Sequence, residues 1–174
     1  MSTTPETTLS YQVLAIEPDV LGELRQRDDA GHAPRISSDA EGSPLRCCLR
    51  PIRRGERAAL VSYAPLRRWA RQNAGAGADP GPYDEVGPVF IHPEPCAGPD
   101  GAGYPASLAD SRRVLRAYSA DGRILGGKLV EPDPADPVAS AESALAALFA
   151  RPEVAFVHAR AVEYGCFTFA IRRG

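Results

Sequence analysis

Apolar and polar positions alternate most clearly in the second half of the chain. Arg113 to Tyr118 and Arg123 to Val130 flank Asp121-Gly122, a strong hairpin signal. A two-residue turn there sets Tyr118 opposite Leu125 and Arg116 opposite Gly127. Glycine facing an arginine leaves room for that side chain to lie flat or for a ligand to approach. Asp136-Pro137 reads as a cap followed by proline in the first helical turn. Val138, Ala141, Leu145, Leu148 and Phe149 then share one face of a helix that stops before Pro152. Val154 to Val162 and Cys166 to Arg172 form a closing hairpin over Glu163-Tyr164-Gly165. With Val162 opposite Cys166, Val157, Ala159 and Ala161 stand beside Ile171, Phe169 and Phe167 on an apolar, core-facing side. The other side carries His158, Arg160 and Val162 beside Ala170, Thr168 and Cys166.

In the first half, Leu9 to Ile16 reads as a strand with Leu9, Tyr11 and Val13 on one face. Pro18-Asp19 opens a short helix with Val20, Leu21 and Leu24 as its apolar stripe and Gly31 beyond its end. Residues 28–44 read as loop with at most one short strand. Leu45 to Leu49 and Ala58 to Tyr63 read as strands joined by a turn at Arg54-Gly55, which points Cys47 and Cys48 to opposite faces. Pro65 starts a two-turn helix with Leu66, Trp69 and Ala70 on one face, ending at Asn73-Ala74-Gly75. Residues 75–82 are a flexible loop, Val89 to His92 a strand and residues 93–107 a long Pro/Gly-rich loop. The sum is an α+β fold: a single domain over residues 9–174, mainly antiparallel sheet or half-barrel built from hairpins, with two to four short helices packed on it. Residues 1–8 are expected to be flexible, and residues 65–82 to be an inserted helix and loop.

Length and composition bound the function without naming it. The 174 residues, 44% apolar and 24% charged, are ordinary globular composition, which excludes a collagen, a coiled coil and a disulfide miniprotein. The longest mostly apolar stretch, residues 138–149, is too short to span a membrane, and the first residues lack a signal peptide's basic start. The expectation is therefore a cytoplasmic chain whose Cys47, Cys48, Cys96 and Cys166 are reduced. Net charge is −2 but uneven: the segment 46–71 holds eight arginines against Glu56 alone, leaving −9 elsewhere. That segment reads either as a patch for an anion, with an acidic protein as partner, or as a solvated rim. The acidic remainder makes nucleic acid the weakest partner.

Three chemistries fit the remaining residues. His92 and Cys96, four apart, offer two metal ligands that His158, Cys166 or Cys48 would complete, or else they are a strand-end histidine and small buried thiols. Cys166 shares a strand face with His158 and Arg160, the setting of an activated thiol, although register keeps His158 two rungs away. The favoured reading is a pocket on the sheet in which Arg116, Arg160, Tyr63, Tyr83 and Cys166 hold a small anionic metabolite. His158, Tyr118 and His92 there move protons, without cofactor or metal, in proton transfer or cyclisation. Its alternatives are a non-catalytic module using the 46–71 arginines, and a metal-binding protein with His and Cys ligands. In the bland version of the favoured reading, Arg116 and Arg160 pair with Glu56, Glu94 or Glu163 on the outside of the sheet.

Several segments resemble a bacterial family known as domain of unknown function 1203. They are Ser43-Pro44-Leu45-Arg46-Cys47-Cys48-Leu49, Gly55-Glu56, Leu60 to Tyr63, Gly81-Pro82-Tyr83, Gly87 to Cys96, Leu115 to Tyr118, Phe149 to Ala155, His158 and Gly165-Cys166-Phe167. The resemblance implies one compact bacterial domain and no activity. The family often carries cysteine where this chain has Leu45, and arginine where it has Asp84. Its segment matching Pro65 to Pro80 is shorter, so the extra residues are candidates for a lid or a specificity element.

Overall fold

Proline and carboxylate signals start the helices, and tight turns form two hairpins in the second half of a computed structural model that describes residues 10–174. The flexibility expected at residues 1–8 and the facing of Leu9 lie outside the described residues. Strand β1 (Tyr11–Leu14) leads into helix α1 (Pro18–Gln26), whose Asp19 carboxylate accepts from the Val20 N–H and whose Val20, Leu21 and Leu24 are buried. After β2 (Arg35–Ser37) and β3 (Ala58–Tyr63), Pro65 opens α2 (Pro65–Gln72), and β4 (Gly87–Ile91) follows two single turns of 3-10 helix. Strands β5 (Arg113–Tyr118) and β6 (Ile124–Val130) precede α3 (Pro137–Phe149), capped by the Asp136 carboxylate on the Ala139 N–H. The chain closes with β7 (Phe156–Ala161) and β8 (Phe167–Arg173).

These strands form two antiparallel sheets, a five-stranded one in the order β1-β8-β7-β5-β6 and a three-stranded one in the order β2-β3-β4. The architecture is α+β, with open sheets rather than a closed barrel. In the β5–β6 hairpin Arg116 does face Gly127, but a bulge between Ala117 and Tyr118 moves Tyr118 from Leu125 to Ile124. Gly127 owes its identity to backbone, because a Cβ there would stand 3.0 Å from the Leu115 carbonyl oxygen. In the closing hairpin Ala159–Phe169, His158–Ala170 and Val157–Ile171 pair as the turn dictates, and a bulge brings Phe167 opposite Arg160. The pairing of β5 with β7, which sets Arg116 against His158 and Tyr118 against Phe156, joins the two hairpins into one sheet.

The large sheet is covered on both faces. Leu115, Ala117, Val157, Ala159, Phe169 and Ile171 pack against α3 and against Tyr104 from the long loop before β5. The face that carries His158 and Arg160 is also buried, under α2 and the small sheet: Phe167 enters the core of the small sheet, while Leu66 and Trp69 lie on Tyr118 and Phe156. The segment 45–49 is not a strand. It reverses direction, with the Leu49 N–H donating to the Leu45 carbonyl and Leu49 in the left-handed region at φ 55°.

Asp28 sits just past α1 and fastens it to the small sheet. Its buried carboxylate accepts from the Ala30, His32 and Ser62 N–H groups at 3.0, 2.8 and 2.8 Å. Burial pushes its carboxyl up, and the three donors together outweigh burial and bring it below the ordinary range. Asp28→Ala should lower unfolding free energy by about 2–4 kcal/mol, since it strips buried donors of their acceptor. Urea titration checks this, and a loss under about 0.5 kcal/mol, the range of an ordinary surface change, would contradict it.

Candidate metal centre

The reversal at 45–50 exists because both of its ends are anchored. Leu45 is buried in the core of the small sheet and bridges Phe90, the Leu45 N–H donates to the Arg50 carbonyl, and Pro44 pairs with Pro51. Arg46 points the opposite way, into the interface between sheets, where its Nε donates to the Phe167 carbonyl at 2.8 Å and its Nη1 to the Pro44 carbonyl. Burial pushes the Arg46 guanidinium down to about 10, so it stays charged at neutral pH. With the chain turning, Cys47 and Cys48 no longer obey the strand rule, and both thiols reach the end of β4. Cys47 Sγ lies 3.3 Å from His92 Nδ1 and accepts the His92 N–H at 3.2 Å, while Cys48 Sγ lies 3.8 Å from the same Nδ1.

Cys96 completes the group. Ligand atoms of Cys47, Cys48, His92 and Cys96 all lie within 4.8 Å of one another. His92 is oriented from behind: its Nε2 stands 2.9 Å from Glu56 Oε1. Glu56 in turn is held by both terminal nitrogens of Arg50, at 2.9 and 2.5 Å, and by the Arg53 N–H at 2.8 Å. Arg50 Nη2 also lies 3.2 Å from His92 Nε2. Arg50 only donates and the carboxylate only accepts, so the shorter contact, to Glu56, assigns the proton to Nε2 and the lone pair to Nδ1. The Arg50 guanidinium holds the Glu56 carboxyl well below the carboxylate range. The hydrogen bond with Cys48, then burial, pushes the Cys47 thiol up, and the same contact brings Cys48 down. Burial pushes Cys96 up.

The residues expected to line one pocket divide among several places. His92 belongs to the thiol group on the small sheet. His158, Tyr118 and Phe156 form an aromatic cluster on the second face of the large sheet, with Tyr118 and Phe156 stacked at 4.9 Å and His158 edge-on to Phe167 at 4.9 Å. Tyr63 packs on Phe167 at 5.4 Å. Arg116 and Arg160 share one carboxylate, that of Glu85, at 3.4 and 2.7 Å, rather than Glu56, Glu94 or Glu163. Three of the expected residues, Tyr63, Arg160 and Cys166, line one cavity of about 210 Å³ together with Glu85, and Tyr83 is exposed on the turn before β4. Neither His158 nor Cys166 belongs to the four-donor group around His92.

The arginine-rich segment is largely answered within the chain. Arg46 is buried, and Arg50, Arg57, Arg67 and Arg68 pair with Glu56, Glu94, Asp84 and the Asp29–Glu23 pair. No helix among the described residues is long and apolar enough to cross a membrane. Sequence reasoning missed Cys47 as a partner of His92, Glu56 as its orienting carboxylate and Glu85 as the counter-ion of two arginines. Pro44 and Pro51, flanking the two cysteines, were the available sign that the segment turns.

Burial first, then Arg160 and Arg116, pushes the His158 imidazole down to about 3 from an ordinary 6.5. The unfolded chain therefore takes up a proton below pH 6.5 that the folded chain refuses until about pH 3. Stability from this residue is complete above 6.5 and is lost as pH falls toward 3. His158→Phe should flatten the acid limb of the stability curve between pH 6 and pH 4, by about 1.4 kcal/mol per pH unit at most. Parallel curves for the two proteins, measured by denaturant titration, would contradict this.

No curated protein and no solved structure matches the chain. The family profile described as "Protein of unknown function (DUF1203)" matches residues 42–173, a span that takes in the thiol loop, Glu56, His92 and Cys96 as well as Arg116, His158 and Arg160. The chain belongs to the DUF1203 family.

Proposed function

We propose that this protein binds one zinc ion through Cys47, Cys48, His92 and Cys96. The observation that carries the reading is the convergence of three thiols around Nδ1 of a histidine whose Nε2 lies against a carboxylate. Soft thiolates with an imidazole select zinc over the oxygen-seeking divalent ions. A tetrahedron with bonds of about 2.3 Å to sulfur and about 2.0 Å to nitrogen has edges of roughly 3.5–3.8 Å. The contacts of 3.3 and 3.8 Å around Nδ1 bracket that edge, and Cys96 needs to close by only a fraction of its distance. A carboxylate behind a ligating histidine fixes its tautomer and raises its basicity, the part that Glu56, clamped by Arg50, plays here.

Four protein donors leave no open coordination position, so the ion serves structure rather than catalysis. It fastens the 45–50 reversal to the end of β4 and to the start of the long loop that crosses to the large sheet. Metal analysis and native mass of the purified full chain should give one zinc per chain. Cys48→Ser and Cys96→Ser should lose it, and Glu56→Gln should weaken it about 10- to 100-fold. Chelation should lower the melting temperature, and zinc should restore it. A chain that takes up no stoichiometric metal when zinc is supplied, or that keeps its metal in the Cys48→Ser/Cys96→Ser double variant, would overturn the reading.

A further inference from the structure

A cleft of about 410 Å³ opens between α2 and the second face of the large sheet, well inside the size range of small-molecule sites. Tyr63, Trp69, Phe156 and Phe167 give it aromatic walls, and His158 lines it. His158 is 2% exposed, and its Nδ1 is buried without a hydrogen-bond partner. No group among the described residues bonds its Nε2 either, so Nε2 is the nitrogen left for a molecule in the cleft. A nitrogen without a partner inside the protein is one that a ligand in the cleft can satisfy.

The charge around the cleft decides what kind of ligand this is. Burial and the neighbouring Arg160 and Arg116 keep the imidazole neutral. Neither of those arginines lines the cleft, and both are on the Glu85 carboxylate. Of the charged residues that do line it, Arg68 is held by Asp29 and Glu23, Arg172 bonds the Gln12 side chain, and Glu17 is itself an anion. Arg172, exposed and paired with no carboxylate among the described residues, is offset by Glu17, so the lining carries no surplus of positive charge to hold a carboxylate or phosphate.

We infer that the cleft binds an uncharged, planar aromatic molecule whose hydrogen-bonding group meets His158 and whose ring lies along the apolar walls. Trp69 and Phe156 are packed on each other at 4.6 Å and Tyr118 stacks on Phe156, so apolar contact along the wall supplies the affinity and the imidazole the orientation. This departs from an anionic metabolite as the occupant, and it is independent of the zinc site because none of the four metal donors lines the cleft.

Trp69 is the one tryptophan in the chain, so its indole N–H gives a single resonance that reports on the cleft. The metal-replete protein is titrated with 2-naphthamide and with 2-naphthoate, which share a shape and differ in charge. The amide should shift the indole resonance to saturation, and the carboxylate should bind at least about tenfold more weakly, the discrimination expected when a charge is buried without a partner. His158→Phe keeps a ring and removes both nitrogens, and should weaken the amide roughly fivefold or more. Equal or tighter binding of the carboxylate, no saturable shift with the amide, or an unchanged amide affinity in a folded His158→Phe would overturn the inference. The wild-type comparison of the two probes decides the matter even where that variant fails to fold.

Discussion

The hydrogen bond from the buried Arg46 guanidinium to the Phe167 carbonyl is the contact on which the arrangement of the two sheets turns. Phe167 begins β8 of the large sheet, and Arg46 sits in the reversal between β2 and β3 of the small one. A guanidinium this deep is tolerable only because carbonyl oxygens at both ends of its fork replace water. With Arg46 directed inward and Leu45 seated beside Phe90, the next two residues have one direction left, toward His92. The thiol group is thus a by-product of how the interface between sheets is closed. Phe167, pinned by the same contact, becomes a wall of the cleft.

The two candidate sites divide between the sheets and treat charge in the same way. Several arginines close to them are held by carboxylates: Arg50 by Glu56, Arg68 by Asp29 and Glu23, and Arg116 and Arg160 together by Glu85. At the metal centre this fixes a histidine tautomer. At the large sheet it holds two positive charges on Glu85, outside the lining of the aromatic cleft. Within the arginine-rich segment Arg46 is buried, and Arg50, Arg57, Arg67 and Arg68 pair with carboxylates of the chain.

The parts of the fold that local chemistry specifies could be read from the chain. Asp121-Gly122 and Glu163-Tyr164-Gly165 fix their hairpins, and Pro18, Pro65 and Asp136-Pro137 fix the helix starts, because each signal acts within a few residues. The bulge at Ala159/Arg160 is set by pairing across the sheet, while the one at Ala117/Tyr118 has its local mark in Gly126, at φ 123° on the partner strand. Leu45, Cys47 and Leu49 imitate the period-two pattern of a strand, so the segment that builds the metal centre was the one most open to misreading. The His92–Cys96 spacing was legible as half a site. Its other half depended on a turn stabilised by Phe90 and Phe167, distant residues that sequence pattern cannot place beside it.

X-ray absorption at the zinc edge of the purified protein is the decisive measurement of the metal centre. A first shell of three sulfur atoms at about 2.3 Å and one imidazole nitrogen at about 2.0 Å is expected. A shell made only of nitrogen and oxygen, or a protein that shows no zinc edge after incubation with the ion, would contradict it.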